Sequence, residues 1–165
     1  MQKSIEKLLN EQIRIEAMAS TQYLAMASWA DSEGFSGVAN FFYAQSEEER
    51  EHMLKLVKFV NERGGNVRIT ALDQPKDSYD SLLALFKAFL ASEMHVTKEI
   101  NGIIDECLKL KDYATHNFMQ WYVTEQLEEE ATARTLLDKL AIIGDDNSGY
   151  YLFDRDIEGL IHEGE

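Results

Sequence analysis

The segment Glu49-Arg-Glu-His52 sets a carboxylate and an imidazole three residues apart. On a helix that spacing puts both on one face, where they can share a divalent cation or pass a proton. Glu16, Glu93 and Glu129 stand at other points of the chain where an apolar residue is due, with Glu125 and Glu128 just before the last of them. A single acid of this kind is ordinarily a solvated helix edge. The chemistry depends on whether the elements that carry these acids bring them together.

Those elements are helices. Strand signals are weak, with no alternating β-branched runs and no Asn-Gly hairpin, whereas helical periodicity occurs four times. The sequence predicts a first helix over 4–33, with the stripe Ile5, Leu9, Gln12, Glu16, Ala19, Tyr23, Met26, Ala30, closed by Gly34. A second over 36–63 carries Val38, Phe42, Gln45, Glu49, His52, Leu56, Phe59 and is closed by Gly64-Gly65. A third over 79–109, with Ser78 as its N-cap, carries Leu82, Phe86, Phe89, Glu93, Val96, Ile100, Cys107. A fourth over 112–143 carries Ala114, Phe118, Trp121, Glu125, Glu128, Glu129, Thr132, Leu136, Leu140 and is closed by Gly144. A short fifth helix over 149–158 follows the turn Asp145-Asp-Asn-Ser-Gly149. That turn has the look of a calcium loop but lacks the twelfth-position Glu.

Connection lengths set the topology. The first and second helices, and the third and fourth, are separated by very few residues, so each pair is an antiparallel hairpin. Between the second and third lies a long segment from Gly64 to Ser78 that holds the only proline, Pro75. Fully extended it reaches ~50 Å, more than the ~42 Å length of the second helix. It can return the chain to the starting end, so that the third helix runs parallel to the second. The expected fold is an all-α four-helix bundle with one long crossover and a short C-terminal helix, in one domain over 1–165.

In that bundle Glu16, Glu49, His52, Glu93, Glu125 and Glu129 fall within about five residues of one level, or ~7.5 Å along the axis. Buried carboxylates without a counter-charge cost several kcal/mol each or neutralise themselves. No Lys or Arg occupies a mid-stripe position to pair with them. Bound cations meet the need, and an oxygen-rich set with one imidazole suits iron(II) or manganese(II) better than zinc. The ligands exceed the needs of one ion. Two ions bridged by Glu49 are the economical reading, with His52 on the same face. Glu47, Glu130, His95, His116 and His162 are expected to play no part, Glu47 and Glu130 as solvent-facing residues. Cys107 is read as core, and Trp121 as a core aromatic with a polar tip near the site.

Composition narrows the alternatives. Lys and Arg number 16 against 30 Asp and Glu, a formal charge of −14. A chain so acidic lacks the cationic surplus that binds nucleic acid and is repelled by anionic membranes. No stretch approaches the ~20 apolar residues of a membrane span, and the first residues lack a signal-peptide apolar run. The single Cys107 allows no intrachain disulfide. A cytoplasmic protein is expected.

The constellation Glu49-x-x-His52 with Glu16, Glu93 and Glu129 resembles the ferritins, whose carboxylate bundles are a well-known form of this architecture. The resemblance spans essentially the whole chain. It is closest to the bacterial non-haem ferritins through Glu16-(x6)-Tyr23, Glu48-Glu49-x-x-His52, Glu93 and Glu125-Gln126-x-Glu128-Glu129. It implies one iron held by Glu16, Glu49 and His52, and a second by Glu49, Glu93 and Glu129 with Gln126 close by. It implies a third, weaker iron site at Glu48, Glu125, Glu128 and Glu129, and a hydrogen-bonding or electron-donating role for Tyr23. It further implies oxidation of iron(II) by dioxygen or peroxide, and storage of ferric mineral inside a shell of 24 like subunits.

Two departures qualify the family pattern. The position three after Glu129 is Thr132, so there is no second Glu-x-x-His, and the second site is all oxygen. A looser site of this kind suits delivery of iron to a mineral. The haem-ligand methionine of bacterioferritins would fall at Arg50, so no haem is expected. A rubrerythrin-type peroxidase would bring a Cys-x-x-Cys module that one cysteine excludes, and a DNA-guarding miniferritin would lack the C-terminal helix. The alternative from another class is a non-catalytic metal-binding shell or scaffold subunit.

Overall fold

The computed structural model describes residues 1–160. It consists of α1 (Lys3–Ser32), α2 (Ser36–Glu62), α3 (Leu82–Leu110), α4 (Tyr113–Ile143) and α5 (Asn147–Ile157), with a 3₁₀ turn over Glu158–Leu160. There is no strand among the described residues, and His162 lies outside them.

Packing fixes the helix directions. One apolar cluster joins Ala19–Ala30 of α1, Val38–Phe42 of α2, Leu82–Phe89 of α3 and Ala133–Leu140 of α4. These are the late part of α1, the early parts of α2 and α3, and the late part of α4. So α2 and α3 run parallel to each other and antiparallel to α1 and α4, as the connection lengths require. A second cluster, from Ile5 and Leu9 through Leu56, Ile100 and Met119 to Tyr122, fills the opposite end. Between the two lies a belt of buried polar side chains: Gln12, Glu16, Gln45, Ser46, Glu49, His52, Glu93, Gln126 and Glu129.

The crossover is fastened to α1 twice. The Asn10 side chain donates to the Asn66 carbonyl at 3.0 Å and accepts from the Arg68 amide at 2.6 Å. Gln22 donates to the Lys76 carbonyl at 2.8 Å and accepts from the Lys76 amide at 3.0 Å. These side-chain bonds satisfy backbone groups that irregular chain would otherwise leave to water.

Three expectations need correction. Helix α3 starts at Leu82, capped by Ser81 accepting from the Ala84 amide at 3.1 Å, so Ser78 is not its cap. Tyr79 instead sits in the crossover, edge-on to Trp29 at 5.5 Å and bonded by Gln22. Helix α5 starts two residues early, because Asp146 accepts from the Gly149 amide at 2.8 Å and caps it. The expected turn thus includes the first turn of the helix. On α4 the inward face is Thr115, Met119, Tyr122, Gln126, Glu129, Ala133, Leu136 and Leu140. Ala114 is exposed, and Phe118, Trp121, Glu125 and Thr132 are only partly buried. The predicted stripe was rotated by about one residue, drawn there by two large aromatics that line a flank rather than the core.

Two positions depend on backbone conformation or closeness. Lys111 takes φ 55°, the left-handed conformation that stops α3, and α4 begins two residues later. Gly37 lies so near α5 that a Cβ there would fall 1.8 Å from the Asp154 carbonyl oxygen. The same Asp154 side chain accepts from the Val38 amide at 2.8 Å, so α5 caps the start of α2 from outside it.

Candidate metal centre

Each helix delivers its polar side chain by the periodicity that builds the core, with a carboxylate, amide or imidazole where the next apolar residue would fall. Helix α1 supplies Gln12 and Glu16, α2 supplies Gln45, Glu49 and His52, α3 supplies Glu93, and α4 supplies Gln126 and Glu129. All are essentially inaccessible to solvent. The level coincidence expected from connection lengths is therefore present as a continuous polar layer.

Within it, ligand atoms of Glu16, Glu49 and His52 lie within 4.8 Å of one another, and all three side chains are buried. His52 Nδ1 is 3.3 Å from Glu49 Oε2. A second group at the same spacing comprises Glu48, His52 and Glu125, at the edge of the layer. Glu93 and Glu129 join neither group. Glu93 is engaged by Tyr23, whose hydroxyl donates a short hydrogen bond to Glu93 Oε1, and by Gln126, whose Nε2 lies 3.0 Å from Glu93 Oε2. Glu128 is exposed and belongs to neither group.

The donor atoms are those a cation would use. Both carboxylate oxygens of Glu49, Oε2 of Glu16, and the amide oxygens of Gln12 and Gln45 are buried without a hydrogen-bond partner. Unpartnered buried oxygens are rare and costly, and five in one layer, all electron-rich, form a site for positive charge. Gln12 turns its nitrogen to Glu16 Oε1 at 2.8 Å, and Gln45 turns its nitrogen to Glu48 Oε2 at 3.1 Å. The two amides steady the carboxylates from the side.

The acids resist ionisation in the absence of a cation. Burial, then the neighbouring Glu49, pushes Glu16 well up. Burial, then Glu93, does the same to Glu49. Burial raises Glu93 to about 7, offset in part by the bonds from Tyr23 and Gln126. Burial and then Glu93 raise Glu129 to about 9. Tyr23 is held protonated by burial and by the nearby Glu93 and Glu49. Desolvation is the largest cause for every one of these groups.

The layer borders a large opening on the α2/α4 side. A cavity of about 1230 Å³ opens between α2 and α4, with Glu48, His52, Trp121, Glu125, Glu128 and Glu129 on its walls. Trp121 stands edge-on to His52, with ring centroids 5.1 Å apart, and Lys55 Nζ lies 3.8 Å from the Trp121 centroid. The Tyr122 hydroxyl donates to the His52 carbonyl at 2.8 Å, tying α4 to α2 at this depth. Phe59 and Phe118 stack at 3.8 Å and continue the wall.

Gln12, Gln45, Thr97 and Glu130 carry no role in the sequence pattern alone. Gln12 was detectable as the residue four before Glu16 on the inward stripe. Glu130, expected in solvent, has a side chain only 15% exposed. It accepts from Thr97 Oγ1 at 2.7 Å and pairs with Arg134. The bond from Thr97, with Arg134 beside it, holds its carboxyl below the usual value. His95 is exposed and His116 partly so, both away from the layer.

Known proteins resemble this chain over nearly its whole length. A family model described as a ferritin-like domain matches residues 6–143. A bacterial non-heme ferritin of Campylobacter jejuni is 40% identical over 160 residues, covering 97% of this chain and 96% of its own. A probable bacterial non-heme ferritin-like protein of Haemophilus influenzae is 38% identical, with 97% of each chain covered. Among solved structures, an open-pore ferritin from the hyperthermophilic archaeon Archaeoglobus fulgidus superposes with a TM-score of 0.94. Its identity is 39%, over 96% of this chain and 98% of that one.

Proposed function

This chain belongs to the ferritin family, and from that premise we propose that it is an iron-storage subunit that oxidises iron(II) at the polar layer and passes iron(III) to a mineral. The observation that carries the proposal is Glu49. It is buried beside Glu16 and His52, and neither of its carboxylate oxygens accepts a hydrogen bond within the protein.

Iron(II) is the substrate. Glu16, Glu49 and His52 take one ion, and Glu49, Glu93 and Glu129 take the second, with Gln126 close by. Glu48 and Glu125, with Glu128 and Glu129, form a third and weaker site at the mouth of the α2/α4 cavity. Bound in pairs, two iron(II) ions supply one electron each to dioxygen or peroxide. The chain's own part is protonic and electrostatic. Carboxyls that hold protons in the metal-free layer release them as cations enter, and the resulting anions favour the higher charge of iron(III). The Tyr23 hydroxyl bonds to Glu93 and is placed to steady that ligand or to give an electron. The −14 charge of the chain concentrates cations at its surface.

The working form is a homo-oligomer, with 24 subunits by family likeness. Large apolar side chains left exposed on the single chain, Ile142 at 86%, Ile69 at 75% and Leu127 at 71%, supply surface for such contacts. No helix among the described residues is long and apolar enough to cross a membrane, in keeping with a cytoplasmic store.

The test is aerobic and peroxide-driven iron(II) oxidation, followed by absorbance, by the unmodified protein and by the variant carrying Glu49→Ala and His52→Ala. Oxidation well above buffer that collapses in the variant is expected. Equal rates in both would favour the non-catalytic scaffold instead. Gel filtration gives the assembly, and a particle of a few subunits would contradict storage.

A further inference from the structure

A chain of polar side chains leaves the metal layer on the α3/α4 side and ends at the surface. Gln126 Nε2 faces three acceptors: Glu93 Oε2 at 3.0 Å, the Glu93 carbonyl at 3.1 Å and Thr97 Oγ1 at 3.3 Å. Thr97 Oγ1 in turn lies 2.7 Å from Glu130 Oε1 and 3.0 Å from the Glu93 carbonyl. Glu130 closes the chain on Arg134. Thr97, Gln126, Glu130 and Arg134 together line a small cavity of about 240 Å³ on this flank.

Thr97 decides how the chain is polarised. Its hydroxyl has one hydrogen and two lone pairs. Of the two acceptors in reach, the Glu130 carboxylate is closer and charged, and charge-assisted bonds are the stronger. The hydrogen goes to Glu130, which leaves the lone pairs facing Gln126. An amide presents nitrogen on one side and oxygen on the other. With Thr97 and Glu93 both offering acceptors, the nitrogen must point to them and the oxygen must point away.

We propose that Thr97, oriented by Glu130, is a positioning residue that fixes the Gln126 amide as a hydrogen-bond donor to Glu93 and so holds the Glu93 carboxylate in one orientation for the second metal ion. Gln126 then acts through Glu93 and is not itself a ligand. Loss of the Thr97 hydroxyl removes one of the three acceptors that hold the amide nitrogen on this side and loosens its orientation. A turned amide would set its oxygen against Glu93 Oε2 and displace that carboxylate. The first ion, on Glu16 and His52, shares no bond with this chain. The inference rests on the two-ion reading of the layer given above.

The experiment uses cobalt(II), which binds without being oxidised under anaerobic conditions. Crystals of the assembled protein are soaked at graded cobalt(II), and anomalous scattering gives occupancy separately at Glu93/Glu129 and at Glu16/His52. With Thr97→Val, half-occupancy at Glu93/Glu129 is expected to need about tenfold more cobalt, the usual scale for losing an outer partner of a ligand. Occupancy at Glu16/His52 should be unchanged. Thr97→Ser, which keeps the hydroxyl, should load like the unmodified chain. Glu130→Gln lies at the surface end of the chain and leaves the layer's packing intact. It should weaken the same site by several-fold, because its amide can donate to Thr97 and reverse the hydroxyl. Unchanged loading of the second site in both Thr97→Val and Glu130→Gln, or equal weakening of both sites, would overturn the inference. Cobalt at neither position in the unmodified chain would instead overturn the functional reading, and the inference with it.

Discussion

Filling the layer with divalent metal should expel protons in a number that the burial of Glu93 and Glu129 sets. At pH 7 a carboxyl raised to about 7 is half protonated, and one raised to about 9 is almost fully protonated. Metal coordination requires both as carboxylates. These two groups alone therefore release roughly one and a half protons per subunit, where solvent-exposed glutamates would release almost none. Glu16 and Glu49, also held up by burial, add to that figure. The assay is anaerobic calorimetry with cobalt(II) in two buffers of different ionisation enthalpy, whose difference in heat counts the protons. Release should fall in two stages as the pH rises through about 7 and then about 9. Glu93→Gln should remove roughly half a proton at pH 7 and Glu129→Gln roughly one, which separates carboxyl protons from those of metal-bound water. Release below roughly 0.3 proton per subunit at pH 7, or release unaffected by both substitutions, would show that the acids are already ionised and would refute the argument from burial.

The same groups govern the stability of the metal-free protein. Their folded-state values lie above the unfolded ones, so their contribution to stability is fully present below about pH 4.5 and is lost as the pH rises through the folded values. For Glu93, raised to about 7, the loss between those limits is on the order of 3 kcal/mol. The thermal midpoint of metal-free protein should therefore drop on going from pH 5 to pH 9, and metal should restore it. A midpoint that rises over that range would contradict the assignment. At the other end of the bundle, Gly37→Ala would drive a Cβ into the Asp154 carbonyl. It should cost about 1–3 kcal/mol and make α5 more open to protease, with a midpoint and cleavage rate like the unmodified protein's as the contrary result.

The sequence made the bundle legible because the core and the site obey one periodicity. Ile5, Leu9, Glu16 and Tyr23 fall on a single stripe, and the acid shows as an interruption of an apolar pattern. Glu49 with His52, and Glu93 between Phe89 and Val96, were readable in the same way. Helix α4 was harder. Phe118 and Trp121 are large enough to look like core, yet they wall the α2/α4 cavity, and the inward face is built from Thr115, Met119, Tyr122 and Gln126. Periodicity assigns a face only to within about one residue when aromatics occupy the flank and polar residues the interior. The start of α3 was misplaced because Ser78 and Ser81 are equal as candidate caps on paper. Only the bend at Asp80 and Ser81 selects between them. Glu130 was hidden by its neighbours. In the run Glu128-Glu129-Glu130 the outer two acids look alike, and what separates them is Thr97 on another helix.

Acids from four helices meet inside the bundle, and we propose that cations bind there. The most direct measurement is anaerobic iron(II) soaking of crystals, with anomalous scattering recorded at the iron edge. Strong iron peaks are expected at Glu16, Glu49 and His52, with a second peak toward Glu93 and Glu129. Iron found only on exposed acids such as Glu47 or Glu51, with the buried layer free of it at full soaking, would contradict the proposal.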